Sequence, residues 1–227
     1  MNSPNVFIGK ISPYDDHAPS AIAKLAVDGE LTLTSLGFVG DEQAEKRHHG
    51  GADRALCHYP REHYAYWKSR FPQQAEQFAA PLFGENVSTL GLTEDNVHIG
   101  DIFRWGKALI QVTQPRSPCY KLNYHCAIDS FARVMQDSGR CGWLYRVLAE
   151  GKVTADDPLE LVSRNSDISV AEAISIAFHA PFDEERYKAL LSAPGLSASW
   201  SKNMQMRLLT GKIEEMENRL TGPKPAK

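Results

Sequence analysis

The sequence predicts a mainly β fold with peripheral helices: a β-barrel followed by a small α module of three helices. Three observations carry that expectation. Short apolar and β-branched runs recur through the first 165 residues, separated by glycine-containing turns rather than by long helical segments. After Ser166 the apolar spacing changes to that of helices and stays so almost to the end. Hydrophobic residues make up 42% and charged residues 23% of 227, enough to fill one sizeable core and unlike a disordered chain.

The elements follow in order. Val6-Phe7-Ile8-Gly9-Lys10-Ile11 is the first strand. Residues 21–27 and 30–34 flank Asp28-Gly29, a dipeptide whose members both accept positive φ, so a hairpin is expected there. Residues 37–51 hold four glycines among polar side chains and predict a long functional loop. Residues 60–71 predict a helix opened by Pro60 and carrying Tyr64, Tyr66 and Trp67, with residues 73–79 adding a further turn or two. A second loop, 83–91, leads to two strands, 97–106 and 107–113, joined at a glycine turn. Residues 128–135 form a short helical pattern and residues 158–163 a last strand.

Beyond that strand, Ser169-Val170-Ala171-Glu172 fits a capping box, and Val170, Ala173, Ile174, Ala177 and Phe178 make one apolar helical face. Pro181 ends this helix. A second helix is expected over 183–191 and a third over 199–220, with a weak point at Gly211. The expected organisation is a barrel domain over 1–166, a three-helix module over 167–221 and a flexible tail over 222–227.

Composition narrows the function. A net charge of −3 gives no general pull toward nucleic acid or an anionic membrane. No apolar run approaches the roughly 18 residues of a membrane span, and the N-terminus lacks the pattern of an export signal. A cytoplasmic protein is expected, with Cys57, Cys119, Cys126 and Cys141 as reduced thiols. Lys202, Arg207, Lys212 and Arg219 would suit a helix-turn-helix unit, but Glu184, Glu185, Glu214, Glu215 and Glu217 offset them.

Three segments can carry chemistry. In Gln114-Pro115-Arg116-Ser117-Pro118-Cys119 two prolines stiffen the backbone, and Arg116 and Lys121 would favour a thiolate if they approach it. Such a thiolate serves as a nucleophile or a soft metal ligand; the alternative is a buried cysteine in a proline-rich turn. In Gly40-Asp41-Glu42-Gln43-Ala44 and His48-His49-Gly50-Gly51-Ala52-Asp53-Arg54-Ala55, Gly50 and Gly51 let backbone N–H groups approach an anion, and Arg54 adds a fork of donors. The alternative there is a tight surface turn. In Gly84-Glu85-Asn86 the amide can read a heterocycle while Glu85 orients an arginine. Cys57-His58 is set aside as a nucleophile pair because adjacent side chains point apart, and Cys57, Cys126 and Cys141 are expected to be dispensable.

Gly40-Asp41-x-Gln43-Ala44, His49-Gly50-Gly51-x-x-Arg54-Ala55, Gly84-Glu85-Asn86, Gly100-Asp101 and Pro115-Arg116-x-Pro118-Cys119 stand in the order and spacing of MOSC domains, the family named for the C-terminal domain of molybdenum cofactor sulfurase. The resemblance covers about residues 5–165, and the helices beyond resemble a three-helix module that follows the domain in one subgroup. It implies a β-barrel whose cleft holds a molybdenum-molybdopterin cofactor, with Cys119 as the protein ligand to the metal. Gly50, Gly51, Arg54, Gly84, Glu85, Asn86 and Arg116 would bind the rest of the cofactor. The implied activity is reduction of N-hydroxylated compounds, fed by a flavoprotein or iron–sulfur electron donor. His49 is the first candidate proton donor and Asp41 the second. The alternative function is a cofactor carrier without turnover. Where the family often has proline after the glycine pair, this chain has Ala52.

Overall fold

The computed structural model describes residues 3–14, 17–45 and 50–222. Its strands are β1 (Asn5–Ile8), β2 (Ser12–Tyr14), β3 (His17–Ser20), β4 (Leu25–Ala26), β5 (Leu31–Thr34), β6 (Gly37–Phe38), β7 (Leu56–His58), β8 (Val87–Ser88), β9 (Ile102–Trp105), β10 (Ala108–Pro115), β11 (Trp143–Ala149), β12 (Gly151–Val153) and β13 (Glu160–Ser163). The helices are α1 (His63–Arg70), α2 (Lys121–His125), α3 (Phe131–Ser138), α4 (Val170–Ile174), α5 (Glu184–Ser192), α6 (Ala198–Thr210) and α7 (Glu217–Thr221).

Among the described residues, eight strands form one curled mixed sheet in the order β13-β9-β10-β11-β7-β8-β1-β4, a half-barrel, and β12-β5-β6 form a smaller sheet. Within the large sheet only β7 and β8 pair in parallel. Its longest strand is β10, buried at seven of its eight positions, so both faces are covered and the strand reads as a continuous apolar run rather than an alternation.

Two expectations change. Asp28-Gly29 does turn the chain, with Gly29 at φ 94°, but it joins two sheets: β4 pairs with β1, and β5 with β6 and β12. The third helix of the C-terminal module breaks where Gly211 takes a left-handed conformation as the cap of α6, and α7 forms separately. The Ser169 N-cap is present: its Oγ accepts the Glu172 N–H at 3.0 Å, and α4 runs on into a wider turn over Ser175–His179.

One hydrophobic core spans both parts. It takes in Val6 and Val112 of the large sheet together with Val170, Trp200, Met204 and Leu220 of the helices. On α1, Tyr64 and Trp67 stand one turn apart and face inward. The rings of Trp67, Phe83 and Phe131 then cluster with centroids within 6.3 Å of one another, fixing α1 and α3 to the same patch. The helical module docks on the sheet through main-chain bonds: Ser197 N–H donates to the Thr113 carbonyl at 3.0 Å, and Asp53 accepts the Ala198 N–H at 2.9 Å.

Gly100 lies at this junction. It sits at φ 84°, and a Cβ there would stand 2.0 Å from the Pro194 carbonyl oxygen. Its neighbour Asp101 is fully buried and accepts two bonds from Arg164, at 3.0 and 3.1 Å. Gly100→Ala is therefore expected to cost about 1–3 kcal/mol or more, from strain plus displacement of the helical module. Urea unfolding monitored by tryptophan fluorescence checks this, and an unchanged midpoint would contradict it.

Candidate functional site

Cys119 sits just beyond the end of β10, where the chain leaves the sheet. Arg116 N–H donates to the Gly142 carbonyl at 3.0 Å, and the Cys119 carbonyl accepts from Leu122 at 3.0 Å as α2 begins. The thiol is partly exposed rather than sealed in the core, where Cys126 and Cys141 lie. Lys121, two residues on, pairs with Glu45 at 3.0 Å, which brings the loop after β6 against the start of α2.

The Arg116 side chain turns inward. Its Nη1 is buried and makes no hydrogen bond among the described residues. Burial lowers the guanidinium pKa, but Cys57, Cys119, Glu85 and Tyr59 outweigh it and the net shift is upward, so the cation is permanent. A buried N–H without a partner is costly, which marks the position as one built to meet an acceptor.

Glu85 is fully buried; it accepts the Tyr64 hydroxyl at 2.5 Å and the Phe83 N–H at 3.1 Å. Burial pushes its pKa up to about 7, against the opposing pull of Tyr64, nearby backbone N–H groups and Arg116. Asn86 is wholly committed. Its amide nitrogen donates to the Asp41 carboxylate at 2.8 Å and to the Phe7 carbonyl at 3.2 Å, while its oxygen accepts the Cys57 N–H at 3.2 Å. With these bonds Asn86 ties β1, β7 and the Asp41 loop together. Gly84 is closely approached by a neighbour. At φ 73°, with a Cβ placed only 2.8 Å from Ile22 Cγ1, its glycine serves close packing on Ile22.

Asp41 accepts the Gly9 N–H at 2.7 Å and binds Lys24 through the same oxygen, leaving the other for Asn86. Both charged side chains are about nine-tenths buried or more. With both oxygens engaged as acceptors, Asp41 holds the wall of the site and is poorly placed as a proton donor. Gly51, at φ 99°, opens the turn Ala52–Arg54, and a Cβ there would meet nothing within 4 Å among the described residues. Gly50, one residue before it, is half-buried. Arg54 reaches Ser199 Oγ of α6 at 3.0 Å, and its pKa is lowered because burial outweighs the pull of Asp53. His49 lies outside the described residues.

The structure adds two residues to those named from sequence. Cys57, dismissed there, lies within electrostatic reach of Arg116, Glu85, Lys24 and Asp41; burial raises its pKa, with Arg116 and Lys24 opposing. Lys24 completes the ion pair. The only sequence sign of it is a single cation inside the apolar run Ala21-Ile22-Ala23-Lys24-Leu25. His58 does point away from Cys57, between Tyr145 at 3.1 Å and Thr89 at 2.9 Å. A shallow depression of about 400 Å³ lined by Pro72, Gln77 and Cys126 lies at the opposite end of α2 and shares none of these residues.

A curled mixed sheet with a Pro-Arg-x-Pro-Cys turn beside a buried Asp-Asn-Lys network defines a class, and comparison with known proteins agrees. The model of the MOSC domain matches residues 45–160, and that of a YiiM-like, 3-alpha helix domain matches residues 168–211. The chain belongs to the MOSC-domain family. Within it, the chain is 66% identical to Protein YiiM of Escherichia coli (strain K12), over 96% of this chain and 97% of that protein. The crystal structure of YiiM from Escherichia coli aligns with a TM-score of 0.85 and 58% identity, covering 96% of this chain and 98% of that one. A protein named reductase from Gibberella moniliformis (strain M3125 / FGSC 7600) is 36% identical over 64% of this chain and 26% of its own length. No helix among the described residues is long and apolar enough to cross a membrane.

Two outcomes follow from this geometry. Asp41→Ala leaves the Lys24 ammonium buried and unpaired, so it should cost about 3–5 kcal/mol of stability, read by urea unfolding. Glu85 has its proton held in the folded state up to about 7, against an ordinary value of 4.5. Across that window the unfolded chain ionises first and binds fewer protons, so stability falls as pH rises, by about 1.4 kcal/mol per pH unit at most. Glu85→Gln should flatten this slope; an unchanged pH profile would show that Glu85 ionises normally.

Proposed function

We propose that the chain binds a molybdenum-molybdopterin cofactor beside Cys119 and reduces N-hydroxylated compounds, such as N-hydroxylated purine analogues, to amines, giving resistance to them. The observation that carries this reading is the buried, unpaired Nη1 of Arg116 next to a partly exposed thiol. A soft sulfur ligand and an unsatisfied guanidinium N–H are the donors that a metal held by sulfur, with anionic groups around it, requires. No group of three or more His, Cys, Asp or Glu among the described residues could hold a metal ion unaided, so the metal would bring most of its ligands with it. Membership of the MOSC family and kinship with a protein named reductase support the same chemistry.

Cys119 would supply the protein's bond to molybdenum, and Arg116 would donate to an anionic group of the cofactor. Gly50, Gly51 and Arg54 would face the phosphate. Asp41, Lys24, Asn86 and Glu85 hold these loops in register. When bound, the cofactor supplies two-electron redox chemistry that side chains lack. The overall reaction breaks the N–O bond: the hydroxylamine takes up two electrons and two protons and leaves as the amine and water. The electrons would come from a flavoprotein or iron–sulfur partner, and His49 stays the proposed proton donor by its place in the sequence.

The test is turnover by the cofactor-loaded protein with a chemical reductant and an N-hydroxylated purine. Amine product over many cycles is expected. Absence of amine with molybdenum verified bound would overturn the reading, and transfer of the metal to an apo-enzyme in its place would make the chain a carrier. Cys119→Ser should abolish turnover, because a hydroxyl is a harder and poorer ligand. Arg116→Ala should lower cofactor content more than melting temperature.

A further inference from the structure

The two peptide groups that flank Cys119 are both held by one residue from the far end of the chain. Arg219, on α7, donates from Nη1 to the Pro118 carbonyl, and its own carbonyl accepts the Tyr120 N–H at 2.8 Å. The guanidinium is itself anchored. Nη2 donates to Gln136 Oε1 on α3 at 2.6 Å, and the group stands 5.3 Å from the centre of the Phe178 ring. Gln136 is buried, and its main-chain carbonyl is taken by His179 at 2.8 Å, so the anchor does not swing freely. Just beyond Arg219 the same segment meets α2 and the residue before it again. Asn123 Nδ2 donates to the Leu220 carbonyl at 3.0 Å, and Gly222 lies so close to the Tyr120 ring that a Cβ there would stand 3.2 Å from it.

We propose that Arg219 is a positioning residue: by holding Pro118 and Tyr120 it sets the direction in which Cys119 presents its sulfur. The role rests on the reading of Cys119 as the metal's protein ligand. A cysteine between two peptides has its Cα–Cβ direction fixed once both neighbouring peptide planes are fixed, leaving only χ1 to choose the sulfur position. The short proline-rich turn cannot do this alone, because the Pro118 nitrogen has no N–H to donate and the turn has left the sheet ladder. The C-terminal segment is thereby part of the site and more than a cover over the sheet. Arg219 lies beyond residue 211, where the matched three-helix span ends.

The experiment compares molybdenum retained per chain after gel filtration in the wild type, Arg219→Gln, Arg219→Lys and Cys119→Ser, with the melting temperature and alkylation of the buried Cys126 and Cys141 followed in each. Loss of groups that orient a metal ligand weakens metal affinity by about 10–100-fold. Arg219→Gln should fall in that range while Cys126 and Cys141 stay protected, and Arg219→Lys, which keeps one donor to Pro118, should recover part of the loss. Hydrogen exchange of the Tyr120 amide in the metal-free protein should be faster in Arg219→Gln. Wild-type retention in Arg219→Gln with loss in Cys119→Ser overturns the role of Arg219 alone. Wild-type retention in Cys119→Ser overturns the ligand reading and this role with it. Metal loss that comes with exposed Cys126 and Cys141, equal in both arginine variants, makes Arg219 a packing residue and overturns the proposal.

Discussion

Arg116 Nη1, buried and without an acceptor among the described residues, is the constraint around which the site is organised. Arg116 cannot discharge itself, so its surroundings have to accommodate a positive charge whatever else they do. Glu85 answers from one side but keeps its own proton up to about 7, so it is a weak counter-charge near neutrality. Cys57 and Cys119 are the other groups that raise the Arg116 pKa most. Among the described residues Nη1 finds no acceptor, which is unfavourable for folding alone and favourable for holding an anionic group.

The remaining architecture keeps that cation in place. β10 delivers Arg116 from a strand buried on both faces, and Gly142 fixes its backbone. Asp41 and Lys24 form a buried ion pair whose free carboxylate oxygen goes to Asn86, and Asn86 in turn holds β1 and β7. Polar groups that look like ligand readers in the sequence therefore serve in the structure to tie the neighbouring loops and strands together. A buried network of this kind specifies one arrangement only when every member is satisfied, and Asp41, Lys24 and Asn86 each have partners.

Much of the fold was legible in the sequence because local signals there agree with the tertiary result. The N-cap at Ser169, the apolar face of α4, the glycine turn between β9 and β10 and the weak point at Gly211 all correspond to features of the structure. What escaped notice has physical reasons. β11 occupies the middle of the sheet, yet Trp143-Leu144-Tyr145-Arg146-Val147-Leu148 shows no clean alternation because both of its faces are partly covered. β4 and β5 look like partners since the turn between them is well formed, but a turn's geometry does not reveal which sheet each strand joins. At the site, Cys119 and Arg116 were visible as a stiff motif. Cys57, Lys24 and Arg219 were not, because what matters about them is whom they meet across 17 to 101 residues of chain.

The central claim is that the Cys119 sulfur bonds the metal. X-ray absorption at the molybdenum edge of the cofactor-loaded protein tests it most directly. The account predicts one sulfur neighbour more in the wild type than in a Cys119→Ser sample that still carries some metal. Equal sulfur coordination in the two samples would contradict it.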